Sequence, residues 1–158
     1  MSGIERSGGN GPVLTEQKVR ELIAAQTPPS LYAGKRVLVL TPDGTRTCPL
    51  PMMVRLLAEV IGSRAERLDF MVALGTHPVM AAEEILTLYG IGGADPGGLF
   101  RSSSFSCHRW DRPDTFRRIG ELTEEESEAV SGGLLRERVP IDINRAVFDY
   151  DLLVILGP

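Results

Sequence analysis

VLVLTPDGTR at residues 37–46 and LDFMVALGTH at residues 68–77 decide the fold of this 158-residue chain. Each stretch starts with an apolar run of strand length and ends in a polar loop, which carries Asp43 and Arg46 in the first case and His77 in the second. A helical pattern separates them, which predicts two buried parallel strands in consecutive βα units. Open α/β folds bind ligands at the edge of the sheet where such strands end, so we expect the three side chains to converge.

The segments that follow the two loops have the spacing of helices. After the first loop, apolar residues recur on one face from Met53 to Val60, and Gly62 is suited to end the helix. Residues 82–89 repeat this pattern and are followed by Gly90. The two βα units are therefore predicted from the same order of strand, loop and helix.

The remaining elements are predicted from shorter patterns. Up to residue 119 they are a helix at 14–25 with Thr15 as its N-cap, a turn at 92–98, a third strand at 99–108 and a short helix at 113–119. After it come an exposed acidic excursion or hairpin tip at 123–133, a strand at 137–143, a helical turn at 144–148 and a buried strand at 151–156. The fold class predicted is α/β, a single domain with a mostly parallel, Rossmann-like sheet and helices on both faces. We place this domain at residues 12–158, after a flexible N-terminus at residues 1–11.

Composition limits the classes of function. The chain is 42% hydrophobic with a formal charge of −4 and 6% aromatics, and it has no long basic run, which argues against a nucleic-acid partner. Cys48 and Cys107 form no CxxC pair, so we expect reduced thiols in the cytoplasm rather than a disulfide framework. Because a nucleic-acid partner is argued against, a small-molecule or protein partner is favoured. No signal peptide and no apolar run of membrane-spanning length is found, so we expect no membrane partner.

Each candidate site residue has a structural alternative. Asp43 before glycine either stabilises its own turn or serves a ligand, and Arg46 is either a surface cation or a planar fork for a carboxylate or phosphate. His77 has an intrinsic pKa suited to proton transfer near neutrality. His108 either joins this cluster or caps its loop beside Trp110.

Two kinds of site are not expected. The two histidines are about thirty residues apart and match no compact ligand motif, so we predict no metal bound by this chain alone. Neither a GxxxxGK[ST] nor a GxGxxG pattern is present, which argues against nucleotide hydrolysis.

Four stretches together resemble a known family. They are TPDGTR at 41–46, ALGTH at 73–77, CHRWD at 107–111 and VPIDINRAVFDYDLLVILGP at 139–158. Their order and spacing are similar to the N-terminal domain of the nickel-pincer-dependent lactate racemase family, over about residues 12–158. The resemblance implies an isomerase of two domains, a 2-hydroxyacid racemase or epimerase. Such an enzyme moves a hydride from the Cα of its substrate to a pyridinium-derived pincer that holds nickel, and returns it to the opposite face.

The resemblance also implies roles for particular residues. His77 matches one of two catalytic histidines, and Arg46 matches the arginine that holds the substrate carboxylate. The loop that touches the cofactor, a nickel-pincer pyridinium mononucleotide, is matched by Asp43, Gly44, Thr45 and Arg46. His108 is a possible additional site residue, although the family usually has asparagine where Cys107 stands.

The family's other functional residues would follow Pro158. They are the second catalytic histidine, the lysine attached to the cofactor and the histidine that binds nickel. We therefore expect this chain to be one domain of a larger protein, inactive alone, without bound cofactor, and prone to homo-oligomerise where its C-terminal domain is missing. The alternative is a non-catalytic small-molecule-binding or interaction domain of the same fold.

Overall fold

A computed structural model describes residues 13–92 and 98–157, so the predicted N-terminus at 1–11 and most of the predicted turn at 92–98 lie outside the described residues. Within them, the helices are α1 (Glu16–Gln26), α2 (Pro29–Tyr32), α3 (Leu50–Leu57), α4 (Ala82–Leu88) and α5 (Glu124–Ser131). The strands are β1 (Arg36–Thr41), β2 (Arg67–Val72), β3 (Phe105–Cys107), β4 (Phe116–Leu122), β5 (Val139–Asn144) and β6 (Leu152–Ile155). A π-helical turn, Ala58–Gly62, extends α3, and 3-10 turns lie at Pro113–Thr115 and Arg145–Asp149. Over the described ranges we find no helix with the length and apolarity that a membrane crossing requires.

Four strands form a parallel sheet in the order β3-β2-β1-β6, which confirms the predicted α/β class. β1 lies in the middle, with Val39 paired to Phe70 of β2 on one side and to Val154 of β6 on the other. The chain therefore moves outward in one direction through β2 and β3 and returns to the opposite side of β1 for β6. The loop after β1 lies at this change of direction, where open α/β sheets form a ligand-binding crevice.

One face of the sheet is covered by α3, its π-helical extension and α4. Alternate residues of each strand point to this face, and they pack with Leu57, Ile61 and Ile85 in the main hydrophobic core. Phe70 stacks on Phe105 with ring centroids 5.6 Å apart. This packing holds the carboxyl ends of β1, β2 and β3 in a fixed relation to one another.

The opposite face is covered by the segment from Asn144 to Tyr150, whose centre is a 3-10 turn. The Asn144 Nδ2 lies 3.5 Å from the sulfur of Met71, and the Tyr150 hydroxyl donates to buried Asp69. Helical structure thus lies on both faces as predicted, with α-helices on one and a short 3-10 turn on the other.

Four predictions for the second half of the chain require correction. The third strand predicted at 99–108 is limited to Phe105–Cys107, because residues 99–102 form a turn. The strand predicted to be buried at 151–156 is the edge strand β6, on which Leu153 and Ile155 are exposed.

The short helix predicted at 113–119 is wrong, because only Pro113–Thr115 is helical and β4 follows as a strand paired with β5. The acidic stretch at 123–133 does connect two antiparallel strands, as a hairpin tip would, but it forms α5. Thr123 and Glu126 build a capping box at its start, and that S/T-x-x-E pattern is a helix signal in the sequence.

Asp69 joins three parts of the fold on the second face. This carboxylate is 2% exposed, and its Oδ1 accepts a hydrogen bond from the Ser104 amide at 2.6 Å. Its Oδ2 accepts from the Tyr150 hydroxyl at 2.6 Å and lies 2.5 Å from the Arg67 Nε. Burial, together with the bond to Asp69, raises the pKa of Tyr150 to about 12. Since a buried charge needs such partners, Asp69 links β2 to the start of β3 and to the chain entering β6.

Replacement of Tyr150 by phenylalanine is expected to lower the free energy of unfolding by about 1.5–3 kcal/mol, because it removes a hydrogen bond to a buried charge. Tyr32→Phe is the matched control, since the Tyr32 hydroxyl donates at 3.0 Å to a neutral carbonyl, that of Val60. This control substitution should lower the free energy of unfolding by only about 0.5–1.5 kcal/mol. Chemical denaturation at neutral pH measures both, and an equal loss in the two variants would contradict the role given to Asp69.

Candidate functional site

The loops that follow β1 and β2 meet at the carboxyl edge of the sheet. The structure brings Asp43 and His77 into direct contact, with a hydrogen bond between the Asp43 Oδ2 and the His77 Nδ1. They are 34 positions apart in the sequence and belong to consecutive βα units. This contact forms because β1 and β2 are adjacent parallel strands that end at the same level.

Asp43 is buried and both of its carboxylate oxygens are engaged. Its Oδ1 accepts from the Thr45 amide at 3.0 Å and from the Thr45 hydroxyl at 2.5 Å, and its Oδ2 binds His77. The bond from the Thr45 hydroxyl, followed by that from His77, lowers the pKa of Asp43 from an ordinary 3.8 to about 2. Asp43 is therefore a carboxylate at neutral pH, and the turn-stabilising role and the contact with His77 coexist.

The contact with Asp43 determines the tautomer of the neutral His77 ring. An ionised carboxylate only accepts hydrogen bonds, so the Nδ1 must carry a proton, and the neutral imidazole keeps its lone pair on Nε2. The side chain is 49% exposed at this edge. Its main chain is also held, since the His77 amide donates to the Leu74 carbonyl at 3.1 Å and the His77 carbonyl accepts from the Trp110 Nε1 at 2.7 Å.

Arg46 lies at the same edge as an available cation. Its side chain is exposed, and its guanidinium makes no hydrogen bond or ion pair within residues 13–92 and 98–157. Together with Asp43, Thr45 and His77 it lines a cavity of about 280 Å³ between the first two strand-end loops. A second cavity of about 340 Å³ shares the Asp43–His77 pair and has apolar walls that include Met80.

His108 lies outside this cluster. The Asn144 Nδ2 is 3.0 Å from the His108 Nδ1, and the ring of Phe116 meets the imidazole edge-on at a centroid distance of 5.5 Å. Asn144 accepts from the Ala146 amide through its Oδ1, so its Nδ2 is the donor to His108. The His108 side chain thus contacts Asn144 and Phe116 rather than capping its own loop beside Trp110, and a role for it in the site stays a prediction.

Neither cysteine belongs to the site. Cys107 is buried at the end of β3, and Cys48 is a half-buried free thiol. In the part of the chain that the structure describes, no three His, Cys, Asp or Glu side chains are grouped so that they would hold a metal ion.

Sequence reasoning named Thr45 only as part of the cofactor loop and Trp110 only as a neighbour of His108, and it foresaw the hydrogen bond of neither residue at this edge. Thr45 supplies the bond that most lowers the pKa of Asp43, and Trp110 supplies the donor to the His77 carbonyl. The spacing D-x-T was visible in the sequence as an aspartate that bonds its own loop two residues on. Trp110 gave no comparable signal, because its partner is 33 positions away.

The low pKa of Asp43 makes its contribution to stability depend on pH. The pKa of Asp43 is lower in the folded state than in the unfolded chain. Its contribution to the free energy of unfolding is therefore present above the ordinary pKa near 3.8 and is lost as the pH falls towards about 2. Asp43→Asn should therefore destabilise the chain at pH 6, and the gap in the free energy of unfolding between wild type and variant should narrow at pH 2.5. Urea denaturation at the two pH values measures this gap.

Glu137→Gln is the control for this prediction, because Glu137 is exposed outside any helix and has no hydrogen bond or ion pair from its side chain within the described residues. Its gap to wild type should stay near zero at both pH values. A gap for Asp43→Asn that is the same at pH 6 and pH 2.5 would contradict the assigned pKa.

A parallel sheet whose strand-end loops present an Asp–His pair, and an arginine without a partner among the described residues, defines the class: an α/β domain with a candidate small-molecule site at the carboxyl edge. Residues 14–158 match the model of the lactate racemase N-terminal domain, and the chain belongs to that family. It is also similar to the crystal structure of a protein from Thermotoga maritima, with 28% identity, a TM-score of 0.72, and coverage of 92% of this chain and 34% of that one. This chain thus spans about a third of the length of that protein. No match was found among curated proteins.

Proposed function

We propose that this chain supplies the N-terminal part of the active site of a 2-hydroxyacid racemase or epimerase. The observation that carries the proposal is the Asp43–His77 pair beside Arg46, whose guanidinium has no partner among the described residues. A 2-hydroxy acid offers a hydroxyl proton to a base and a carboxylate to a cation. The carboxyl edge presents one group of each kind within a single cavity.

In this proposal His77 is the proton acceptor. Asp43 holds the Nδ1 proton, which leaves the Nε2 lone pair to take the hydroxyl proton as the Cα hydrogen departs. The ionised Asp43 also stabilises the imidazolium that forms, as a carboxylate does beside a catalytic histidine. Arg46 binds the substrate carboxylate through its planar fork, which fixes the hydroxyl relative to His77.

In this proposal the loop of Asp43, Gly44, Thr45 and Arg46, which borders both cavities, would hold the organic part of a nickel-pincer pyridinium cofactor. The Asp43 carboxylate would keep its bonds to Thr45 and His77 and place a negative charge near the cationic ring. When bound, the cofactor supplies a hydride acceptor, while the protein orients and encloses the substrate. In this proposal nickel is held by groups outside the described residues, among which no three His, Cys, Asp or Glu side chains are grouped to hold a metal ion.

The proposal includes a C-terminal domain, because the chain spans about a third of the Thermotoga protein. We expect the 158-residue chain alone to be inactive, to bind no cofactor and to self-associate. The free Cys48 and Cys107 support a reducing cytoplasm as its compartment.

An isotope experiment tests the reaction class on the longer protein that carries this domain. A single enantiomer of a 2-hydroxy acid with deuterium at Cα is racemised in ordinary water, and the product is analysed by NMR. Hydride transfer returns the deuterium to Cα, so the product should keep the label. Loss of the label to solvent would indicate proton abstraction and overturn the hydride mechanism. Saturable binding of the acid without racemisation would identify the non-catalytic binder instead.

A further inference from the structure

Trp110 is an aromatic residue at the site that the proposed chemistry does not use. It lies in the loop after β3, its ring is 41% exposed, and its Nε1 donates at 2.7 Å to the carbonyl oxygen of His77. The donor and acceptor come from neighbouring strand-end loops. The bond therefore connects the third loop of the carboxyl edge to the residue placed at the centre of the site.

The Trp110 indole is the donor that the structure shows for the His77 carbonyl. The carbonyl takes no part in α4, which does not begin until Ala82. Since the carbonyl lies ahead of the helix, no helical amide reaches it, and the indole takes that place. A side chain from another loop thus completes the hydrogen bonding of the His77 main chain.

The loop that presents Trp110 is itself braced. Arg109 makes two hydrogen bonds to the carboxylate of Asp111, at 2.8 and 2.7 Å, and the Arg112 amide donates to the Arg109 carbonyl at 3.1 Å. These contacts span Trp110 on both sides. The indole is therefore carried on a closed turn rather than on a free chain.

Three consecutive strand-end loops meet on one residue. His77 is held at its Nδ1 by Asp43 after β1, at its amide by Leu74 after β2, and at its carbonyl by Trp110 after β3. We propose that Trp110 is a positioning residue for His77, one that keeps the imidazole in register with Asp43 and with the bound substrate. The expected effect of Trp110 on turnover rests on the proposed function. The expected effect of Trp110 on the His77 ring does not, because it depends only on contacts within this chain.

Trp110→Phe tests the proposal, because it keeps an aromatic ring and removes the N–H donor. The chain has one tryptophan and two histidines, so NMR of the 158-residue protein resolves one indole N–H and two imidazoles. In the wild type the indole proton should exchange slowly with water. In the variant the His77 Nδ1 proton should exchange about fivefold faster or more, because the hydrogen bond that holds the main chain of His77 is lost.

The matched control is Phe116→Leu, which changes the ring packed on His108 and does not touch the Trp110 bond. It should leave the exchange of the His77 Nδ1 proton unchanged. In the longer racemase, Trp110→Phe should lower kcat about 10- to 100-fold with little change in KM, since a small displacement of a catalytic group costs turnover more than binding.

Two results would overturn the positioning role: wild-type exchange of the His77 Nδ1 proton in folded Trp110→Phe, or wild-type kcat in the loaded enzyme. If Trp110→Phe does not fold, Asp111→Asn loosens the brace and keeps the indole, and it should produce the same faster exchange. Wild-type exchange in folded Asp111→Asn would then overturn the proposal. Failure of the racemase proposal is recognised separately, by binding of the hydroxy acid without racemisation in the wild-type protein, and would leave the exchange result intact.

Discussion

Turnover of the complete racemase is expected to fall by about 10²–10⁴-fold in His77→Ala, the range for removal of a positioned acid or base. The reason is that the Nε2 of His77 is the one lone pair that the Asp43 contact leaves available for the hydroxyl proton. Substrate binding should change little, because Arg46 remains. Racemisation is measured per folded, cofactor-loaded molecule so that a loss of folding is not counted as a loss of catalysis.

His108→Ala is the matched control for this prediction. His108 is the other histidine of the chain and also lies at a strand end, but it contacts Asn144 and Phe116 instead of Asp43. The control should lose stability and keep most of its turnover per folded molecule. A wild-type rate for folded His77→Ala would end the catalytic assignment. Equal losses in the two variants would show that the histidines only support their loops.

Arg46→Lys is expected to raise KM and lower kcat/KM about 10- to 100-fold, while the cofactor content stays at the wild-type level. Lysine keeps the positive charge and loses the planar fork that binds a carboxylate through two parallel hydrogen bonds. The guanidinium has no partner among the described residues, so the fold should tolerate the change. Steady-state kinetics with a matched cofactor assay measures both quantities.

Arg64→Lys controls for the general effect of exchanging an arginine. Arg64 is exposed just before β2, at the opposite edge of the sheet, and its guanidinium has no hydrogen bond or ion pair in the described ranges. Its kcat/KM should match the wild type. If Arg46→Lys also behaves as wild type, the carboxylate is bound elsewhere and the role given to Arg46 is wrong.

Much of the fold is predictable because its signals are local. β1 and β2 are apolar runs of strand length, and the loops after them carry the glycine and aspartate that turns require. The same pattern predicts that Asp43, Arg46 and His77 share an edge. The helix predicted at 113–119 fails for the opposite reason, since pairing of β4 with β5 overrides a weak local preference.

The sequence by itself determined the order of strand, loop and helix in the first two βα units, the family, and the residue types available at the carboxyl edge. The tertiary structure alone decided which of these groups touch: Asp43 meets His77 across 34 positions, and Asp69 meets Tyr150 across 81. It also decided which His77 nitrogen carries the proton. The physical reason is that a sequence pattern reports short-range backbone preference. A hydrogen bond instead requires its donor and acceptor to be placed to within a few tenths of an ångström, and only the packed strands set that placement.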